Sequence, residues 1–264
     1  MYKEGRVNPI YSPDPNTRKK TTVTHRLTSS MEKRLVPPAA LIALFVATPA
    51  QAALNVSAFS LTPSTTKAGG HPDLTVSESF DPPTADIKEI VLHLPAGLTA
   101  NARAAPFCRR SYLVADLCPL RTKVGEVGLV GVALGLEAEV ARNIYNLKPS
   151  GQEALRLGVP LFGSVTRGGT ALVLPVRERP EDHGLDVAVA GPPREVAGYS
   201  VALKEVTFRL KGSVRARIRG RLRRRALLTN PASCGPASTA LDVVAYEGPP
   251  PRLTQVSTFT LTGC

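Results

Sequence analysis

Tryptophan is absent from this 264-residue chain, and aromatic residues make up only 5% of it. Val, Leu and Ala dominate, with 21 Gly and 24 Pro, a composition that suits short strands joined by turns rather than long helices. No apolar run approaches the roughly 20 residues a membrane-spanning helix requires. The four cysteines, Cys108, Cys118, Cys234 and Cys264, contain no C-x2-C pair and have no nearby histidine, so neither a metal site nor a cofactor is expected.

Signatures of catalysis are scarce as well. There is no Gly-x-Ser-x-Gly elbow to present a nucleophile. The stretch from Gly163 to Thr170 superficially matches a phosphate loop but lacks its lysine. Glu78, Asp81, Asp86 and Glu89 are scattered among expected turns and strand starts, and offer no carboxylate pair for glycoside hydrolysis. Asp182-His183 would suit an imidazole oriented for general-base work in a secreted hydrolase of unknown substrate. The plainer reading of Arg179 to Gly184 is a polar hairpin turn. No catalytic residue is assigned.

What is present begins with an address. Met31-Glu32-Lys33-Arg34 is a short basic head, Ala39 to Ala47 an apolar core, and Ala50-Gln51-Ala52 an A-x-A tail. These are the three parts of a secretory signal peptide. Cleavage is expected after Ala52, leaving a secreted protein, free or associated with the cell wall, with no transmembrane span. Residues 1–30 hold six Lys/Arg and no apolar periodicity. They read as a misassigned start upstream of Met31 or as a disordered leader. Residues 53–264 form the folded region, with a weak internal boundary at Pro149-Ser150-Gly151.

An even cysteine count in an exported chain implies disulfides, and four cysteines allow three pairings. The local pairs Cys108–Cys118 and Cys234–Cys264 are favoured, since each closes a short loop and Ser111 to Leu117 can form a helical turn. Elsewhere, apolar segments such as 54–61, 88–94, 124–136, 154–161, 201–210 and 255–261 recur between Pro and Gly punctuation. Glycines 125, 128, 131 and 135 suggest bulges or bends. The fold expected is all-β: an antiparallel β-sandwich, one large or two abutting, with one short helical turn between two cysteines.

The formal net charge is +12, and nine of the 33 basic residues lie between Arg209 and Arg225. Arg215, Arg217, Arg219, Arg221 and Arg223 alternate with Ala216, Ile218, Gly220 and Leu222. On a single strand all five would project from one face, about 7 Å apart. Arginine forks suit phosphate, sulfate and carboxylate, so an anionic cell-wall polymer or other polyanion is the partner this pattern implies. Without interleaved aromatics, base stacking is not expected, nor is sequence-specific nucleic-acid binding. The same pattern also serves as a solvated strand edge that blocks edge-to-edge pairing.

Three blocks carry a resemblance. Ala68-Gly69-Gly70-His71-Pro72-Asp73-Leu74 leads to Leu94-Pro95-Ala96-Gly97-Leu98; Pro106-Phe107-Cys108 and Cys118-Pro119 lead to Ile144-Tyr145-Asn146-Leu147; Leu228-Thr229-Asn230-Pro231-Ala232-Ser233-Cys234 leads to Thr262-Gly263-Cys264. In this order they resemble secreted, β-rich, disulfide-bearing proteins of unassigned function found in actinobacteria. The resemblance implies the local cysteine pairing and an extracellular address, and supplies no catalytic residue. The function expected is a non-catalytic extracellular or cell-envelope binding or structural module, with polyanion binding and hydrolysis as alternatives.

Overall fold

The computed structural model describes residues 54–162, 170–191, 194–196, 199–218, 220–246 and 252–264. The leader and signal-peptide readings, the loop from Gly163 and Arg219 lie outside the described residues. Thirteen strands carry the architecture: β1 (Val56–Pro63), β2 (Leu74–Thr84), β3 (Ile87–His93), β4 (Lys123–Ala133), β5 (Leu136–Leu147), β6 (Glu153–Phe162), β7 (Thr170–Glu178), β8 (Leu185–Ala190), β9 (Ala202–Leu210), β10 (Ser213–Ile218), β11 (Arg221–Ala226), β12 (Gly235–Ala245) and β13 (Arg252–Leu261). Eleven of them form one sheet in the order β1-β2-β9-β4-β5-β6-β7-β8-β3-β12-β13, each neighbour antiparallel.

The sheet curls until its edges nearly meet, so the expected sandwich is a nearly closed barrel. Leu61 N–H at the end of β1 donates to Ser257 Oγ on β13 at 3.1 Å. Just beyond, the Ala68 N–H donates to the Thr262 carbonyl at 2.8 Å and the Thr262 N–H to the Thr66 carbonyl at 2.9 Å. Eleven is odd, so a seam between first and last antiparallel neighbours must bring parallel strands together. The bridge Lys67–Thr262 is parallel.

Strand alternation decides what faces inward. In β2, Leu74, Val76, Glu78 and Phe80 are buried while Thr75, Ser77 and Ser79 between them are half-buried. Along β4 the register against β5 shifts between Lys123 and Gly125, and Gly135 bends the chain into β5 at a φ of +76°, while Gly128 and Gly131 lie within the regularly paired stretch. Gly125 is required by close approach: a Cβ on it would lie 2.2 Å from the Arg209 carbonyl of β9. Residues 148–152 join β5 to β6 within the same sheet, so no domain boundary falls at 149–151.

One end of the barrel is plugged. Leu98, Leu227 and Leu228 are buried there. Asn146, fully buried, donates from Nδ2 to the carbonyls of Ala102 at 2.8 Å and Ala105 at 2.9 Å. Asn230 does the same for Thr65 and Lys67, both at 3.0 Å. Outside the wall, α1 (Arg110–Val114) sits between the bonded Cys108 and Cys118, with Leu113 seated over Gly158. Any Cβ on Gly158 would come within 2.6 Å of Leu113. The second disulfide, Cys234–Cys264, ties the start of β12 to the chain beyond β13.

Candidate functional site: the barrel interior

An eight-stranded barrel is just wide enough for side chains to fill, or to hold one small ligand. Eleven strands enclose more, and an eleven-stranded can is filled by a central helix. Here α1 lies outside, and the inward residues are mostly Leu, Val, Ala and Gly. These side chains are too small to meet across the middle. A cavity of about 370 Å³ remains, lined by residues such as Val76, Leu92, Leu129, Val140, Leu157 and Leu172.

Among the described residues lining it, Glu78 alone has a polar side chain. It is 5% exposed, and no described side chain or backbone group bonds its carboxyl. Phe59 of β1 and Val206 of β9 stand opposite it in register. Burial without a compensating charge pushes its pKa from 4.5 to about 7. The sequence reading placed Glu78 among turns and strand starts; it lies mid-strand in an apolar row. The signal was legible in Leu74-x-Val76-x-Glu78-x-Phe80, where period two makes the carboxyl share the face of three large apolar residues.

The wall is incompletely sealed at the end opposite the plug. Among the described residues, β5 and β6 pair only through Tyr145–Leu147 and Arg156–Gly158, and β7 and β8 only through Val176–Glu178 and Leu185–Val187. The β6–β7 hairpin, paired along its own length, is therefore anchored to its neighbours only near the plugged end. Across the upper β5–β6 seam, Arg142 Nε donates to the Leu161 carbonyl at 3.2 Å. Cavity-lining Val140, Leu172 and Val189 are half-buried, and Ala138 and Ala190 are exposed, so the apolar interior reaches solvent at this end.

The arginine ladder is not one strand. β10 and β11 form a hairpin that reverses at Gly220, whose φ of +80° suits a turn. Ile218 pairs with Arg221, so odd-numbered positions of one arm share a face with even-numbered positions of the other. Arg215 consequently stands beside Arg224, while Arg221, Arg223 and Arg225 share the face of Val214, which is buried. Arg217 pairs in register with Leu222, and Arg219 is outside the described residues. Among the described residues, Arg215 and the pair Arg221 and Arg223 therefore lie on opposite faces, because the turn, not the alternation, fixes their relation. Arg215, Arg221, Arg223 and Arg224 are exposed, and no described carboxylate pairs with them.

Asp182 and His183 occupy the β7–β8 turn and do not pair. Arg179 grips Asp182 through Nε and Nη2, both at 2.9 Å, and holds its carboxyl below the ordinary value. His183 Nδ1 lies 2.7 Å from Glu178 Oε1 instead. A second histidine, in a row the sequence did not connect, is better placed: His93 on the outer face reaches Asp186 Oδ1 at 2.9 Å and Asp242 Oδ2 at 3.2 Å. Burial raises the Asp242 pKa, but hydrogen bonds from Thr254 and His93 and the charge of Arg252 outweigh it and hold the carboxyl low. Arg179 Nη1 also bonds Asp186 at 2.5 Å. This row crosses β8, β3, β12 and β13 and clamps the outer face of the sheet. Among the described residues no cluster of His, Cys, Asp or Glu suits a metal ion, and no helix is long and apolar enough to cross a membrane.

Comparison of the chain with protein-family models, curated proteins and solved structures found no match.

Proposed function

We propose that this chain is an exported, non-catalytic binding protein that holds one apolar small molecule inside its barrel. The cavity carries the reading. Its 370 Å³ lies within the range of ligand sites, and equals the volume of roughly a dozen liquid waters. Because the cavity opens to solvent, an apolar ligand would take its Leu, Val and Ala lining out of water, the transfer that drives apolar association. Export is supported by the basic head, apolar core and A-x-A tail before Ala53, and by two disulfides, which persist in oxidising compartments.

Titration with the neutral fluorophore N-phenyl-1-naphthylamine tests this. Saturable, single-site enhancement is expected, and Leu172→Trp, which fills the lining, is expected to weaken it at least tenfold without lowering thermal stability. Absence of enhancement in the parent protein would overturn the reading.

A second reading rests on the unpaired arginines of the β10–β11 hairpin, which suit an anionic cell-wall polymer. The two are compatible, because the hairpin leaves the barrel at the plugged end.

A further inference from the structure

We propose that Glu78 is the specificity-determining group of the cavity and that the ligand is a long-chain alcohol, an apolar chain ending in one hydroxyl. The inference rests on the apolar-ligand reading above. It follows from matching polar inventories. The interior offers one carboxyl and no other polar side chain among the described lining residues. Beside Glu78 the backbone groups of β1, β2, β9 and β4 are committed to strand pairing, so a polar ligand atom seated at that depth, away from the open seams, meets Glu78 alone.

A hydroxyl has one donor and accepts readily. It donates to an ionised Glu78 and accepts from a protonated one, so a single carboxyl satisfies it in either state. A primary ammonium carries three N–H groups, and pairing with Glu78 would leave two buried without acceptors. A fatty-acid carboxylate would set a second negative charge beside the first. A bare alkane would leave Glu78 as it is now, buried and unpartnered. The inward chain end then runs among Leu92, Leu129, Val140, Leu157 and Leu172, where each buried methylene adds favourable transfer free energy.

The methyl ether of the same alcohol isolates the hydrogen bond, because it accepts but cannot donate. Its binding should need the protonated carboxyl. The groups facing Glu78 from its neighbouring strands, Phe59 and Val206, do not titrate. Arg142 shares the inner register of β5, but its Nε and Nη1 are held by the Leu161 and Ala141 carbonyls. With the carboxyl titrating near 7, the ether should bind below that pH and weaken above it, while the alcohol should bind on both sides.

The test is displacement of N-phenyl-1-naphthylamine from the disulfide-intact protein by 1-decanol, its methyl ether, decylamine and decanoic acid, near pH 5 and near pH 9. Expected is strongest displacement by decanol at both pH values, and an ether that competes comparably near pH 5 but roughly tenfold more weakly near pH 9, one hydrogen bond's worth. Glu78→Gln, whose amide donates and accepts at any pH, should remove the pH dependence of the ether. Glu78→Leu should make alcohol and ether equal. If the probe binds but all four ligands compete alike in the parent and in both variants, the Glu78 inference fails while the apolar-ligand reading stands. If decylamine dominates near pH 9, an ion pair replaces the hydroxyl and the inference fails. If the probe itself does not bind, the underlying reading fails.

Discussion

Glu78 makes this molecule's stability fall with rising pH between mildly acidic and neutral solution. Its folded pKa, about 7, lies above the 4.5 of an ordinary glutamate. Between these values the unfolded chain releases a proton that the folded chain keeps. Stability is therefore highest at or below the lower value, falls as pH rises through the window, and is level above it. The full difference is on the order of 3 kcal/mol. Glu78→Gln removes it. Urea unfolding near pH 5 and near pH 8 should show the parent losing about 2–3 kcal/mol more than the variant across that interval. Equal losses would show that the carboxyl is hydrated and not held in an apolar interior. Asp242 acts with opposite sign: its lowered pKa adds stability that disappears in acid as the pH falls through that value. Asn146 and Asn230 act as carbonyl clamps in the plug and do not line the cavity.

At the scale of elements, the β10–β11 hairpin has the charge for an anionic partner but not the geometry that alternation implied. Replacing the exposed Arg215, Arg221, Arg223 and Arg224 by serine is expected to shift elution from heparin to markedly lower salt. Unchanged elution would leave the hairpin as a solvated edge. The strands themselves were largely legible: segments 88–94, 154–161, 201–210 and 255–261 each became a strand with ends shifted by a few residues. Periodicity reports which side of a strand is apolar, and it reports that locally. It does not report register. The parity that separates Arg215 from Arg223 depends on which residues pair across Gly220, and pairing is a two-strand property.

For the whole molecule, the two disulfides should have different consequences. Loops of 10 and 30 residues predict about 3 and 4 kcal/mol, respectively, from restricting the unfolded chain. Removing Cys108–Cys118 should lower stability but leave probe binding intact, because α1 packs outside the wall. Removing Cys234–Cys264 should also weaken binding, because this bridge sits where Thr262 closes the β1–β13 seam. Equal effects on binding would place the seam outside the site. By itself the sequence determined strand content, the cysteine pairs and where positive charge accumulates, since these follow from composition, short-range spacing and period two. Only the tertiary structure decided that eleven strands wrap into one wall, that their small side chains leave its centre open, and that a lone carboxyl faces that space. Closure joins residues some two hundred positions apart, and an interior volume belongs to all the strands at once, so no window of sequence contains it.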